Sequence, residues 1–338
     1  MDTIFLITIL VVIFALAFDF INGFHDTANA IATSVSTRAL KPRVAVLMAA
    51  FMNFVGALTF VGVAKAIASN IVDPMSLNAF DGDMTGSLVI LAALCSAITW
   101  NLLTWYYGIP SSSSHTLIGS LAGAAIGAAG FGILNYSGFL SILAALIISP
   151  ILALTVGFTV MSLFKVFFKN LGLYKTNARF RLVQIITAAI QSFTHGTNDA
   201  QKAMGIITMA LIAAGLQTGD EVQGWVRIAC ATAMGLGTSV GGYKIIKTVG
   251  GKIMKIRPVN GAAADLSSAS VIFGATLISL PVSTTHVISS AIMGVGAAQR
   301  VKGVRWGVAR KMVFTWIITI PISALMAAAF YIILNLIF

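Results

Sequence analysis

Gly23-Phe24-His25-Asp26-Thr27-Ala28-Asn29-Ala30 returns 173 residues later as Gly196-Thr197-Asn198-Asp199-Ala200-Gln201-Lys202-Ala203. Pro110-Ser111-Ser112-Ser113-Ser114-His115 returns 171 residues later as Pro281-Val282-Ser283-Thr284-Thr285-His286. Near-equal offsets mean that the chain is built from two related halves. Polar clusters duplicated in this way, inside apolar surroundings, are the pattern expected where two repeats enclose one solute site in a membrane.

The surroundings are apolar throughout. Hydrophobic residues make up 58% of the 338 positions and charged residues only 9%, more apolar than a soluble core requires. Roughly 17 to 30 apolar residues in a row cross a hydrocarbon layer of about 30 Å as helix, and the runs do not alternate as barrel strands would. The expected fold class is therefore an all-α polytopic membrane protein. Twelve apolar segments divide six and six, at roughly 3–21, 24–37, 44–67, 86–107, 112–132 and 138–164, then 182–195, 197–215, 225–248, 262–280, 283–299 and 307–338. Residues 1–164 and 182–338 read as the two membrane repeats, and the polar stretch 165–181 as a cytoplasmic linker.

Charge sets the expected topology, because basic loops stay on the cytoplasmic side. Basic residues gather at Arg38, Lys41 and Arg43; at Lys165, Lys169, Lys175, Arg179 and Arg181; at Lys244, Lys247, Lys252, Lys255 and Arg257; and at Arg300, Lys302, Arg305, Arg310 and Lys311. The acidic loops, Asp73, Asp81 and Asp83 in one half and Asp220 and Glu221 in the other, fall between these clusters and are assigned outside. Segments 182–195 and 197–215 both lie between an inside cluster and an outside loop. One of them must be re-entrant, or the two must form one broken crossing at Gly196–Ala203; by symmetry the same holds at Gly23–Ala30. Each half then crosses five times, about ten in all, with two non-crossing or half-helix segments. The repeats are inverted and both termini are extracytoplasmic in the cell membrane.

Inverted repeats with interrupted helices place a solute site near the midplane. Asp26, Asp199 and Asp265 sit inside apolar segments, at a cost of about 2.5 to 3.5 kcal/mol each, and such residues normally line an ion path. With Asn29, Asn198 and Gln201 beside them they offer the oxygen ligands that a small hard cation prefers. The hydroxyl motifs suit the opposite charge: proline followed by Ser or Thr at a helix start leaves free N–H groups and the positive dipole end pointing one way. Ser111, Ser112, Ser113, Ser114, Ser283, Thr284 and Thr285 supply seven hydroxyls without fixed charge, as reversible binding of a tetrahedral oxyanion needs.

The two aspartate motifs, the second beginning at His195, and the two Pro-x-Ser-x-Ser/Thr-His motifs resemble the signatures of the inorganic phosphate transporter (Pit) family, over nearly the whole chain. The resemblance implies a secondary carrier, not an enzyme, that moves inorganic phosphate inward with a cation. It also implies that the aspartate motifs hold the cation and the hydroxyl motifs contact phosphate. His25 precedes Asp26 where many relatives have asparagine, and Gln201-Lys202 replaces a small residue and asparagine. Bacterial low-affinity relatives sharing these features imply proton coupling, with phosphate carried alone or as a neutral divalent-metal complex. His25 beside Asp26 suits a proton; sodium, held by Asp26 and Asp199, is the other coupling ion. Beyond that cation no cofactor is expected.

Alternatives stand beside several residues. His115 and His286 contact substrate or pack against a neighbouring helix. Lys202 neutralises Asp199 or meets phosphate. Asp265 pairs at the interface with Arg257 or lines the path, and Asp19, near a segment end, reads as solvated. Gly237-Thr238-Ser239-Val240-Gly241 matches a nucleophile pattern but has no preceding strand, and with Gly119, Gly123 and Gly127 it reads as small-residue helix packing. The first apolar stretch has no positive leader and is not read as a signal peptide; Cys95 and Cys230 are expected as free thiols. The net charge of +11 fits loops facing anionic lipid rather than nucleic acid. A homodimer is admitted, though no residue requires one. The rival functions are symport of sulfate or another oxyanion, an anion channel, and an intramembrane hydrolase using Ser239. Sulfate keeps no hydrogen at neutral pH, whereas phosphate can donate one to Asp26 or Asp199.

Overall fold

The computed structural model describes residues 3–73, 76–77, 84–169 and 173–338. Among them the chain forms twelve α-helices, two short 3-10 turns and no strand beyond one bridge between Val72 and Leu134. The first half holds α1 (Thr3–Ser36), α2 (Pro42–Ala57), α3 (Gly62–Asn70), α4 (Thr85–Tyr107), α5 (Ser113–Ala129) and α6 (Tyr136–Phe167). The second holds α7 (Leu173–Ala213), α8 (Gly224–Val240), α9 (Tyr243–Gly251), α10 (Pro258–Leu277), α11 (Thr284–Gln299) and α12 (Trp306–Ile337). By length and composition α1, α4, α6 and α12 can each span a membrane, and α2 with α3, bent by 67° at their break, makes a fifth span.

The halves match helix for helix and interlock. α5 packs on α12 and its counterpart α11 on α6; α1 packs on α8 and its counterpart α7 on α2; α1 and α7 cross each other at the centre. Reciprocal contacts of this kind are what a two-fold relation produces. Proline recurs inside both long outer helices, at Pro150 and Pro321, where neighbouring helices let a membrane helix tolerate it. The small-residue series packs helices, as expected: Gly119 and Gly123 seat α5 against the backbone of α12.

Two faces can be followed along the chain. At one, Arg305 N–H donates to Ile253 O, Lys165 to Ala298 O and Thr37 to Gln184, which gathers the basic clusters. At the other, Asn135 N–H reaches Ile71 O, and Lys65 is paired with Glu221 and lies 3.9 Å from Asp220. Hairpin α4–α5 begins and ends at this acidic face, whereas α10–α11 begins and ends at the basic face. The two hairpins therefore dip in from opposite sides, which is the inverted arrangement. Both turn over a left-handed residue, Gly108 (φ 66°) in one and Ser279 (φ 58°) in the other, and their tips carry Pro110–Ser114 and Pro281–Thr285.

The interruptions lie elsewhere than expected. Neither aspartate motif breaks its helix: α1 and α7 run unbroken through Gly23–Ala30 and Gly196–Ala203, so each expected pair of segments is one continuous helix. Gly23 and Gly196 serve close packing. A Cβ on Gly23 would stand 2.5 Å from Met234 O and 2.8 Å from Thr238 N of α8, and one on Gly196 would stand 2.7 Å from Asn53 Cα of α2. Absence of a side chain lets each helix seat on the other repeat. The breaks fall instead between α2 and α3, between α8 and α9, and at the hairpin tips. The expected linker is mostly helical, since Lys165 belongs to α6 and residues from Leu173 onward to α7. Residues 170–172, with Asp81 and Asp83, lie outside the described residues.

Candidate functional site

α1 and α7 carry the two aspartates to the crossing point, and each hairpin tip delivers its hydroxyls there. Asp26 Oδ1 lies 2.6 Å from His25 Nδ1, which donates because a carboxylate only accepts. Ser113, from the first tip, donates to Asp26 Oδ2 at 3.2 Å, and Thr285, from the second, to Oδ1 at 3.3 Å. Asn29 donates to Thr285 at 2.9 Å and to Thr284 at 3.4 Å. His25 Nε2 faces the hydroxyls of Thr104 and Ser111 at 3.2 and 3.5 Å.

Asp199 is held differently. Lys202 Nζ, on the next turn of α7, lies 2.6 Å from Oδ1, and Thr284 donates to Oδ2 at 3.1 Å. His195 Nε2 stands 3.2 Å from Oδ2 without the alignment of a hydrogen bond, while its Nδ1 faces Asn53 at 3.0 Å. Of the two readings of Lys202, neutralisation of Asp199 is the one its geometry carries. Asp26, His195 and Asp199 each bring a potential ligand atom to within 4.8 Å of the others, close enough to share one small ion. All these side chains are buried.

The hydroxyl motifs also build helix ends. Ser112 caps α5 and Ser283 caps α11, each accepting from the N–H of the histidine three residues on. Ser114 donates to Val282 O at 2.8 Å, which ties one tip to the other, and Ser111 donates to Thr104 at 2.8 Å. Two helix N-termini therefore converge beside two carboxylates. Anion-type and cation-type chemistry, separate in the sequence, occupy one polar cluster.

Not every candidate reaches that cluster. Gln201 Oε1 accepts from Val63 and Ala64 N–H at 2.8 and 3.1 Å, capping α3. Asn198 braces the second tip, donating to Thr276 at 3.1 Å and Leu280 O at 3.2 Å and accepting from Val282 N–H at 3.2 Å. Asp265 is buried and accepts from Thr33 at 2.6 Å and Thr187 at 3.3 Å, on the basic-face side of the crossing; Arg257 makes no ion pair with it. His115 and His286 stand back from the aspartates, their rings 4.3 Å apart and His286 stacked on Trp316 at 3.9 Å. Asp19, expected in solvent, is fully buried. Its position near the end of an apolar run misled, because α1 continues well past it. Sequence reasoning missed His195 and Asn53 as partners of the site; the spacing of His195, one turn before Asp199, was the available signal. Ser239 lies on an exposed helix face and donates to Leu236 O, with no hydrogen bond to a base among the described residues.

With this geometry in view, the comparisons with known proteins agree. The profile described as "Phosphate transporter family" matches residues 22–177 and again 172–327, one match for each repeat. The chain belongs to the phosphate transporter family. It is 68% identical, over the full length of both chains, to the "Probable low-affinity inorganic phosphate transporter" of Bacillus subtilis (strain 168). It is 45% identical to the protein of the same name from Rhizobium meliloti (strain 1021), over 94% of this chain and 93% of that one. Its fold superposes with a TM-score of 0.86 on "The sodium-dependent phosphate transporter", 27% identical, covering 98% of this chain and 100% of that one. As a member of this family the chain is a membrane protein and not an enzyme.

Proposed function

We propose that this protein is a secondary active transporter that carries inorganic phosphate into the cell together with a cation, and that the cation is a proton. The observation that supports this most is that hydroxyls from both hairpin tips end on the paired carboxylates: Ser113 and Thr285 on Asp26, Thr284 on Asp199. A hydroxyl donating to a carboxylate is unavailable to an anion. A proton placed on Asp26 turns it from a charged into a neutral acceptor, and such hydrogen bonds are about half as strong. Ser113 and Thr285 are then free to turn toward phosphate, beside the N-termini of α5 and α11. Cation loading thus prepares the anion site, which is what coupling requires.

The nitrogen partners favour a proton. His25 on Asp26 is a pair able to hold and pass on a proton, and Lys202 already supplies Asp199 with a cation, whereas sodium seeks a shell of oxygens. Phosphate enters alone or as a neutral metal complex, for which Asp26, His195 and Asp199 are the candidate metal contacts. Asn29 and Asn198 hold the second tip, Ser111 to Ser114 and Ser283 to Thr285 form the anion side, and Asp265 receives the cation toward the basic face. That face is cytoplasmic and both termini are outside, by the distribution of basic residues.

The test is uptake of labelled phosphate by reconstituted liposomes under separately imposed proton and sodium gradients, with sulfate as competitor. Driven uptake is expected in the proton arm, and Asp26→Asn and Asp199→Asn should each abolish it. Uptake driven only by sodium would overturn the proton assignment. Normal uptake by both variants would overturn the role of the carboxylates.

A further inference from the structure

Asp19, Asn22, Asp26, Asn29 and Thr33 follow one another on α1 at alternating intervals of three and four residues, the spacing that keeps side chains on one helix face. All five are buried. The central member, Asp26, belongs to the site described above, and the last, Thr33, donates to Asp265 on the basic-face side. Asp19 lies seven residues before Asp26 and Thr33 seven after it, a rise of about 10 Å each way. Toward the basic face the file ends on a carboxylate satisfied by two hydroxyls. Toward the acidic face it ends on one that is not: among the described residues neither oxygen of Asp19, and neither the oxygen nor the nitrogen of the Asn22 amide, has a hydrogen-bond partner.

A buried carboxylate without donors needs a positive partner, and among the described residues none is in ion-pair contact with it. The titratable groups facing Asp19 are Asp199 and Lys202 from α7 and Cys230 from α8; α4 contributes no charged residue. Lys202 is committed to Asp199 at 2.6 Å. Resting on the symport reading above, we propose that Asp19 and Asn22 form a binding site for the coupling monovalent cation, a station between the acidic face and the Asp26–Asp199 pair. The carboxylate supplies the charge and the Asn22 oxygen a second acceptor. The inverted construction gives the site a reason, since a solute released toward either face needs a station on both sides of the crossing, and Asp265 occupies the other side.

Asp19→Asn removes the charge and keeps the shape. Two measurements on the same proteoliposomes test the site: phosphate exchange at equal concentrations without a gradient, and net uptake driven by a proton gradient or, separately, by a sodium gradient. Asp19→Asn should lower driven uptake by roughly tenfold or more while exchange persists, and Asp19→Glu should keep both. The gradient arm in which the loss appears identifies the cation. Driven uptake unchanged in Asp19→Asn overturns the station and leaves the symport reading standing. Loss of exchange in parallel with driven uptake also overturns it, because that is the signature of a structural role. Wild-type protein with no driven uptake in either arm would refute the symport reading itself, and the station with it.

Discussion

Lys202→Met removes the one ammonium inside the site, and the geometry fixes the size of the effect. Nζ lies 2.6 Å from Asp199 Oδ1 and both side chains are at most 1% exposed. At an effective dielectric constant of about 20 the attraction at that separation is about 6 kcal/mol, most of which offsets the desolvation of the two ions. Taking away one partner abolishes the attraction but leaves the other ion buried, which typically costs about 3 to 5 kcal/mol. Asp199 keeps the Thr284 hydroxyl at 3.1 Å and His195 at 3.2 Å, so the lower end applies, about 3 kcal/mol, or roughly a hundredfold in the folding equilibrium. Denaturant unfolding in detergent of Lys202→Met, Asp199→Asn and the double variant measures it. The double variant should be more stable than the sum of the single losses by about 2 kcal/mol, because it buries no unpaired charge. A Lys202→Met protein within about 0.5 kcal/mol of wild type, or strictly additive losses, would refute the claim that this pair is a mutually dependent buried ion pair.

Further outcomes follow from particular contacts. Gly23→Ala forces a methyl against Met234 O and Thr238 N of α8, and should lower stability by about 1 to 3 kcal/mol in the same assay. Ser279→Gly relieves a left-handed non-glycine residue at φ 58°, and should raise stability by about 1 kcal/mol. Cysteines introduced at the exposed positions Ala178 and Thr218 should react with an impermeant maleimide from opposite sides of the membrane. Labelling from one common side would contradict the inverted arrangement. Ser239→Ala should leave phosphate uptake unchanged, since its hydroxyl only returns to Leu236 O.

Fold class and repeat were legible without coordinates, because both rest on properties that survive projection onto a line. Apolar runs of spanning length declare helices in lipid, and duplicated motifs at near-equal offsets declare two halves. The inverted relation followed from the charge pattern together with the repeat, and the opposed hairpins agree with it. The expected five crossings per half do not hold, because α4–α5 and α10–α11 turn back at the central site and return to the face they leave. Asp26, Asp199 and the hydroxyl runs stood out because polar groups in an apolar chain are costly and therefore rarely idle. The place of the breaks was not legible. Gly23 and Gly196 look like interruptions in one dimension; in three they are the surfaces on which α8 and α2 sit, and their polar neighbours find partners on other helices without unwinding.

Local sequence therefore determined which residues could hold charge and which could hold an anion, since that depends on side-chain chemistry. Tertiary structure alone decided which of them meet. Gln201 was drawn off to cap α3, Asn198 to brace a hairpin tip, and Asp19 was buried rather than solvated. Ser113, Thr284 and Thr285 were brought onto the carboxylates of the crossing pair, whereas Lys202 meets Asp199 through local spacing, three residues along one helix. The physical reason is that Ser113 and Thr284 meet carboxylates 87 and 85 residues away within their own halves, and Thr285 meets Asp26 259 residues away in the other half; such separations are set by how helices pack and how the two halves interlock, not by local spacing.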